Sequence, residues 1–133
     1  MQIVMDFHHV GIAVHSIEET ANRYKDLGYS LTETIKEPIQ NVYLAFLKKE
    51  GSPLLELVQP VDKTSPVSTI LKKVGVSSYH FCYESNDLLK TIEELENRNY
   101  KVLVEPIKAV AFNNRKISFL YHLDVGLIEL LEK

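Results

Sequence analysis

Cysteine is scarce in this sequence, and long apolar segments are missing. The single cysteine, Cys82, excludes an internal disulfide. No apolar run approaches the roughly 20 residues that a helix needs to span a bilayer, so we expect no membrane insertion. The N-terminus lacks a basic segment followed by a long apolar core, so we expect no secretory signal peptide. Together these absences predict a cytoplasmic protein.

An excess of charge of either sign is also missing. Fifteen basic residues against 18 acidic residues give a formal net charge of −3, and no long run has one sign. Counterion release from a nucleic acid would therefore be a weak driving force, and we expect no nucleic-acid partner. The 133 residues suit a single domain, 1–133, because a chain of this length buries roughly two-thirds of its unfolded surface.

The sequence contains an internal repeat with an offset of 80 − 9 = 71 residues. Three pairs of landmarks share it: the histidines His9 and His80, the helix-capping residues Ser16 and Asp87, and the turn residues Gly28 and Asn99. Each cap precedes apolar residues spaced i, i+4, i+7, which predicts an amphipathic helix in each half. These residues are Ile17, Ala21 and Tyr24 in the first half and Leu88, Ile92 and Leu95 in the second.

After each helix the apolar period shortens toward two, which predicts strands. They lie near 29–36, 41–48, 53–59, 101–105, 115–121 and 126–132. Ser65 and Pro66 are typical of the start of a short helix, which would end near Gly75. We therefore predict an α+β fold with two repeated βαβββ modules, about 5–60 and about 77–133, joined by a linker at about 61–76. The modules would pack into one incompletely closed mixed sheet.

Four polar residues interrupt the apolar strands in matching places. His9 shares its strand face with Gly11 and Ala13, while Val10, Ile12 and Val14 share the other face. Glu56 and Glu129 each lie inside the last apolar strand of their own half, with an offset of 129 − 56 = 73. An unpaired buried carboxylate would cost several kcal/mol, so a cation, a proton or a strong hydrogen-bond partner should accompany each one.

Considered singly, a histidine in a strand is more often hydrogen-bonded within the fold than bound to a metal. A single glutamate in a strand is more often a charge that faces outward. Their paired placement favours a joint role instead, because an ordinary structural sheet gives no reason for it. We predict that His9, Glu56, His80 and Glu129 converge on one divalent metal ion between the modules. Two imidazoles and two carboxylates leave room for two waters in an octahedral shell, which suits Ni, Co, Zn, Mn or Fe without choosing among them.

The chain resembles the glyoxalase and methylmalonyl-CoA epimerase group of the vicinal-oxygen-chelate superfamily over essentially its whole length. The resemblance rests on residues 9–14, 56–60, 65–80, 117–120 and 127–130. It places the four metal ligands of the family on His9, Glu56, His80 and Glu129. It also implies a homodimer and a small-molecule thioester or hemithioacetal as substrate.

The resemblance further implies that the metal stabilises an enolate while a carboxylate moves a proton on carbon beside a carbonyl. Glu129 is the first choice for the base, and Glu56 is its counterpart on the opposite face of the substrate. Some epimerases of the family carry a further glutamate in the third strand, where this sequence has Leu44. Arg115 and Lys116, in a loop that differs from the family, are candidates for binding a phosphate or carboxylate of the carrier, although adjacent loop cations are more often only solvated.

The leading functional hypothesis is a metal-dependent isomerase or lyase resembling methylmalonyl-CoA epimerase. Lactoylglutathione lyase is the near alternative, favoured by the two carboxylates at the metal and by the missing third-strand glutamate. An alternative of another class is a protein that sequesters a drug or metabolite without metal, against which the four potential ligands argue. Ring-cleaving dioxygenases and fosfomycin-type transferases use two histidines and one carboxylate, so the second glutamate disfavours them.

Overall fold

The computed structural model describes residues 2–133, which divide into two compact units. The N-terminal unit comprises residues 9–79, and the C-terminal unit comprises residues 2–8 and 80–133. The strands are β1 (Asp6–Ala13), β2 (Ser30–Leu31), β3 (Ile35–Glu37), β4 (Val42–Lys48), β5 (Leu54–Pro60), β6 (Ser77–Ser85), β7 (Lys101–Lys108), β8 (Lys116–His122) and β9 (Gly126–Glu132). The α-helices are α1 (Ile17–Lys25), α2 (Pro66–Lys73) and α3 (Leu88–Glu96), and a 3₁₀ turn spans Val110–Phe112.

The N-terminal unit contains a mixed sheet covered by α1. Strands β1 and β5 are parallel, β4 is antiparallel to β5, and β2 and β3 both pair with β4. Alternate residues of these strands, including Ile12, Ala45 and Leu57, pack against Ile17 and Ala21 of the helix. This alternation follows from the twofold period of a strand, and it leaves the odd-numbered face of β1, with His9, directed away from the helix.

The C-terminal unit has the corresponding arrangement under α3. Strands β6 and β9 are parallel, while β8 pairs antiparallel with β9 and with β7. Its core joins Leu88, Ile92 and Leu95 of the helix to Leu120 and Leu130 of the sheet. Each unit thus combines helices with a mixed sheet, and the predicted α+β fold class is confirmed.

The helix boundaries follow the predicted capping residues. The Ser16 hydroxyl accepts a hydrogen bond from the Glu19 backbone N–H, and the Asp87 carboxylate accepts one from the Lys90 N–H. Gly28 and Asn99 both adopt left-handed backbone angles, with φ of 93° and 71°. No helix within residues 2–133 is both long and apolar enough to cross a membrane.

Two predicted strands differ from the observed ones. The segment 29–36 forms two short strands, because the Thr32 hydroxyl replaces a backbone carbonyl as the acceptor of the Phe46 N–H, at 2.8 Å. The segment predicted as 101–105 continues to Lys108 through Pro106. The proline is tolerated because the β7–β8 register shifts between Val104 and Ile107, where no ladder hydrogen bond from position 106 is required.

Candidate metal centre

In the N-terminal unit, a buried histidine lies against a buried glutamate. Strand β1 carries His9 and strand β5 carries Glu56, and the parallel register places Gly11 beside Glu56. The Nε2 atom of His9 is 3.5 Å from Oε1 of Glu56. His9 is 0% exposed and Glu56 is 4% exposed, so bulk water solvates neither group.

The C-terminal unit repeats this pair with the same strand geometry. Strand β6 carries His80 and strand β9 carries Glu129, and the parallel register places Cys82 beside Glu129. In both units the histidine therefore precedes, by two residues, the position paired with the glutamate. The Nε2 atom of His80 is 3.2 Å from Oε1 of Glu129, and each residue is 3% exposed.

Each pair has the chemistry and spacing of two ligands on one ion. Imidazole nitrogens and carboxylate oxygens bind metals such as zinc at about 2.0–2.2 Å. Two such ligands at roughly a right angle lie about 3 Å apart, close to the observed 3.2 and 3.5 Å. Without an ion, a protonated histidine beside each carboxylate would supply the compensating charge instead. The donor set of each unit therefore fits a divalent cation.

A phenylalanine ring accompanies each pair and was missed by the sequence analysis. Phe46 of β4 lies directly opposite Glu56 in the antiparallel ladder, and Phe119 of β8 lies directly opposite Glu129. The ring of Phe46 meets His9 edge-on, and that of Phe119 meets His80 in the same way. The signal was present in the sequence, since 119 − 46 = 73 is also the offset of the two glutamates.

Leu44 occupies β4 with 6% of its surface exposed, opposite Val58, so this position offers no carboxylate. Another buried carboxylate of the N-terminal unit, Glu37, has a structural role. It accepts backbone hydrogen bonds from Ile39 at 3.0 Å and Gln40 at 2.7 Å, which stabilises the turn before β4. Sequence patterns did not reveal this buried residue, because a glutamate at the end of a short strand is typical of an exposed position.

Arg115 is anchored within the C-terminal unit. Its Nη1 donates to Glu84 at 3.1 Å and to the Glu132 carbonyl at 3.2 Å, and its Nε donates to the Phe112 carbonyl at 3.4 Å. The guanidinium also lies over the Phe112 ring, 5.8 Å from its centroid. Lys116, the other predicted anion contact, is exposed at the start of β8. The arginine thus fixes the 3₁₀ turn against β6 and β9.

Comparison with known proteins agrees with this architecture. The sequence profile of the Glyoxalase/Bleomycin resistance protein/Dioxygenase superfamily matches residues 8–119. The chain belongs to this superfamily. The uncharacterized protein YqjC of Bacillus subtilis is 32% identical over 129 residues, which cover 93% of this chain and 89% of that protein.

Two further similar proteins have a named activity. The mitochondrial methylmalonyl-CoA epimerase of Homo sapiens is 29% identical over 127 residues, which cover 92% of this chain and 71% of that protein. The crystal structure of methylmalonyl-CoA epimerase from Mycobacterium tuberculosis has a TM-score of 0.85 to this chain at 27% identity, covering 99% of this chain and 92% of that one. The resemblance stated from the sequence is confirmed, and the relatives include epimerases of the glyoxalase fold.

Proposed function

We propose that this chain is a metal-dependent epimerase that moves a proton on the carbon adjacent to the carbonyl of an acyl thioester. The observation that carries the proposal is the buried histidine–glutamate pair present in both units, at 3.5 Å and 3.2 Å. Buried carboxylates beside imidazoles are costly as mere structure, whereas they are what a metal-assisted proton transfer requires. The epimerases among the relatives support the substrate class.

The proposed metal ligands are His9, Glu56, His80 and Glu129, acting on one divalent ion of the group Ni, Co, Zn, Mn or Fe. Support comes from the equivalence of the two pairs, because each supplies one nitrogen and one carboxylate from corresponding strands. When bound, the ion would act as a Lewis acid for the negative charge that develops on the thioester oxygen. The proton transfer itself would be carried out by the side chains of the protein.

Glu129 is proposed as the base, with Glu56 as its counterpart on the opposite face of the substrate. The base would take the proton from the carbon, and the electron pair of the broken C–H bond would enter the enolate. The second carboxylate would return a proton to the other face, which inverts the centre and leaves the redox state unchanged. The carboxylate that takes the proton must expose one oxygen to the carbon, so it would loosen from the metal during turnover.

Arg115 and Lys116 are proposed to meet the anionic part of the carrier thiol. Lys116 is exposed, and the Arg115 side chain retains about a third of its surface for solvent, 36%, despite its hydrogen bonds to Glu84 and to backbone carbonyls. Within residues 2–133, the Nη2 group of Arg115 is the part of the guanidinium that remains to donate to a phosphate oxygen.

We also propose that the chain forms a homodimer. Phe7 and Phe81 of the C-terminal unit are 47% and 49% exposed and contact each other edge-on. Aromatic side chains are enriched at protein interfaces relative to the rest of the surface. Sedimentation of the wild type and of Phe81→Asp tests this proposal, which requires a dimer for the first and a monomer for the second.

Lactoylglutathione lyase is a second candidate, favoured by one observation. The two histidine–glutamate pairs are equivalent, and Leu44 leaves no third carboxylate on β4, so both proton-transfer groups would be metal ligands. A hemithioacetal also carries its exchangeable proton next to a carbonyl. The two candidates differ in the carrier and in the product.

One experiment separates these functions. The protein, loaded in turn with each divalent metal, is incubated in D₂O with a single epimer of methylmalonyl-CoA or with the methylglyoxal–glutathione hemithioacetal. Epimerisation with deuterium at carbon 2 of the acyl group supports the epimerase, and formation of lactoylglutathione supports the lyase. Absence of both reactions with every metal would contradict both, and a ligand that bound equally well after metal removal would favour the sequestering protein.

A further inference from the structure

Phe46 and Phe119 are the apolar members of the repeated site. They occupy corresponding positions, since 119 − 46 = 129 − 56 = 73, and each lies opposite the glutamate of its own unit in an antiparallel ladder. Both rings are largely buried, with exposures of 9% and 5%. Core packing alone does not require the same aromatic residue in both halves, because Leu, Ile, Val, Phe and Ala are all preferred core residues.

The rings contact the histidines in the same orientation. The centroids of Phe46 and His9 are 5.8 Å apart with 77° between the ring planes, and those of Phe119 and His80 are 5.4 Å apart with 87°. This edge-to-face arrangement is the one that aromatic rings prefer. A phenyl ring packed nearly perpendicular to the imidazole at this distance would restrict its rotation about the last side-chain torsion, a torsion that is intrinsically broad.

The orientation of the imidazole decides what the pair can do. Nε2 lies 3.5 Å from Oε1 of the glutamate in the N-terminal unit and 3.2 Å in the C-terminal unit, and rotation of the imidazole would change these distances. The phenyl ring also presents only C–H groups beside the carboxylate, so it offers no hydrogen bond that would compete for the carboxylate oxygens. A leucine in the same place would fill less of the flat space and would leave room for the imidazole to tilt.

We propose that Phe46 and Phe119 are positioning residues that hold the two imidazoles in the ligating orientation. This inference rests on the proposed metal site. Groups that orient metal ligands typically contribute 10–100-fold to metal affinity. An orienting ring without a hydrogen bond belongs at the lower end, so replacing either phenylalanine by leucine should weaken metal binding about 10-fold.

The chain supplies matched controls for this effect. Leu47 and Leu120 are the next residues along the same strands, they are also related by 120 − 47 = 73, and both are 0% exposed. Their side chains face the helices, in the cores of the N-terminal and the C-terminal unit respectively. Replacing either by valine disturbs core packing in the same strand without touching the histidine.

The test is titration of the metal-free protein with cobalt(II), followed by its visible absorption, which reports the ligand geometry. Phe46→Leu and Phe119→Leu should bind cobalt about 10-fold more weakly and with altered band positions. Leu47→Val and Leu120→Val should keep the wild-type spectrum and affinity while their melting temperatures fall. If Phe46→Leu or Phe119→Leu does not fold, Phe46→Met or Phe119→Met takes its place.

Three outcomes would overturn the inference in distinguishable ways. Phenylalanine variants with the wild-type cobalt spectrum and affinity would show that the rings are only packing residues, with the metal site itself intact. A wild-type protein that takes up no cobalt, nickel or zinc would instead remove the proposed metal site, and the positioning role with it. Equal spectral changes in the leucine controls would also count against a specific role for the rings.

Discussion

The two units resemble each other more closely around the buried histidine–glutamate pair of each unit than at their outer strands. Each has a histidine on its first strand, a glutamate two positions further along the parallel ladder, and a phenylalanine opposite that glutamate. The outer strands differ, because the N-terminal unit has short strands β2 and β3 while the C-terminal unit has an eight-residue β7. The comparison indicates that one requirement, holding a buried histidine–glutamate pair, acts on both halves.

The edges carry unit-specific interactions. In the N-terminal unit the Glu37 carboxylate stabilises a turn, and in the C-terminal unit Arg115 binds Glu84 and fixes the 3₁₀ turn. These polar contacts have no counterpart in the other unit at the repeat offset. We propose that the repeated histidine–glutamate pairs serve the proposed chemistry and that the edges serve stability and recognition, and this division can be tested from the largest expected effect to the smallest.

Replacing the carboxylates of the two pairs tests whether they have equal roles. Glu129→Gln should lower the rate of proton exchange about 10²–10⁴-fold, because the amide cannot accept the proton, while metal binding is only partly weakened. Glu56→Gln should slow the transfer on the opposite face. Deuterium incorporation at carbon 2 of the acyl thioester, measured by NMR together with metal content, gives both quantities.

Glu105→Gln, an exposed position on β7, is the control for this pair of variants and should match the wild type. Wild-type exchange by Glu129→Gln would remove this residue from the mechanism. If Glu129→Gln loses proton exchange on one face of the substrate, and Glu56→Gln loses it to the same extent on the other face, the two carboxylates act as opposed bases. This is the result that the repeat suggests.

Arg115→Met probes the edge of the C-terminal unit. It removes hydrogen bonds to Glu84, Glu132 and Phe112, and because the group is partly exposed we expect a loss of about 1–2 kcal/mol of unfolding free energy. Urea denaturation measures this change. Lys116→Met should leave stability unchanged and raise only the KM of an anionic substrate, so a stability loss as large as that of Arg115→Met would contradict the distinction.

Removing the N-terminal caps compares helices α1 and α3 directly. Ser16→Ala and Asp87→Ala each remove a side-chain acceptor from a helix N-terminus, and each should lower the unfolding free energy by about 1 kcal/mol. Chemical denaturation of both variants checks the equivalence. Ser30→Ala is a suitable control, since its hydroxyl makes a single long hydrogen bond, 3.3 Å, to the Lys48 carbonyl. Loss in only one of the two helices would argue against equivalent caps.

The sequence predicted the repeated centre better than the edges, for physical reasons. The helix caps at Ser16 and Asp87 and the left-handed turns at Gly28 and Asn99 depend on local chemistry, so the sequence alone predicts them. The break at Thr32 depends on a hydrogen bond to Phe46, 14 residues away, which no local pattern encodes. Phe46 and Phe119 were overlooked because an aromatic residue in an apolar strand is unremarkable until the 73-residue offset is applied to it.

The smallest expected effect concerns Asp62, before α2. The Thr64 hydroxyl, the Thr64 backbone N–H and the Asn41 amide donate to its carboxylate and hold its pKa below the usual range. Because folding lowers this pKa, the stabilisation is fully present above the unfolded value of about 3.9 and is lost as the pH falls through the lower folded value.

Thermal melts of wild type and Asp62→Asn, collected between neutral pH and pH 2, measure this contribution. The variant should melt slightly lower at neutral pH, and the difference should shrink once the pH passes below about 4. A difference that stays constant down to pH 2 would show that the hydrogen bonds, rather than the charge, provide the stabilisation.

The central proposal is that the two equivalent pairs together hold one ion, and metal stoichiometry tests it most directly. Elemental analysis of protein purified without a histidine tag is compared for the wild type, His9→Ala and His80→Ala. We predict about one divalent ion per chain in the wild type and almost none in either variant, because each variant loses a ligand of the shared ion. Two ions in the wild type with one retained in each variant, or no ion even after reconstitution, would contradict the account.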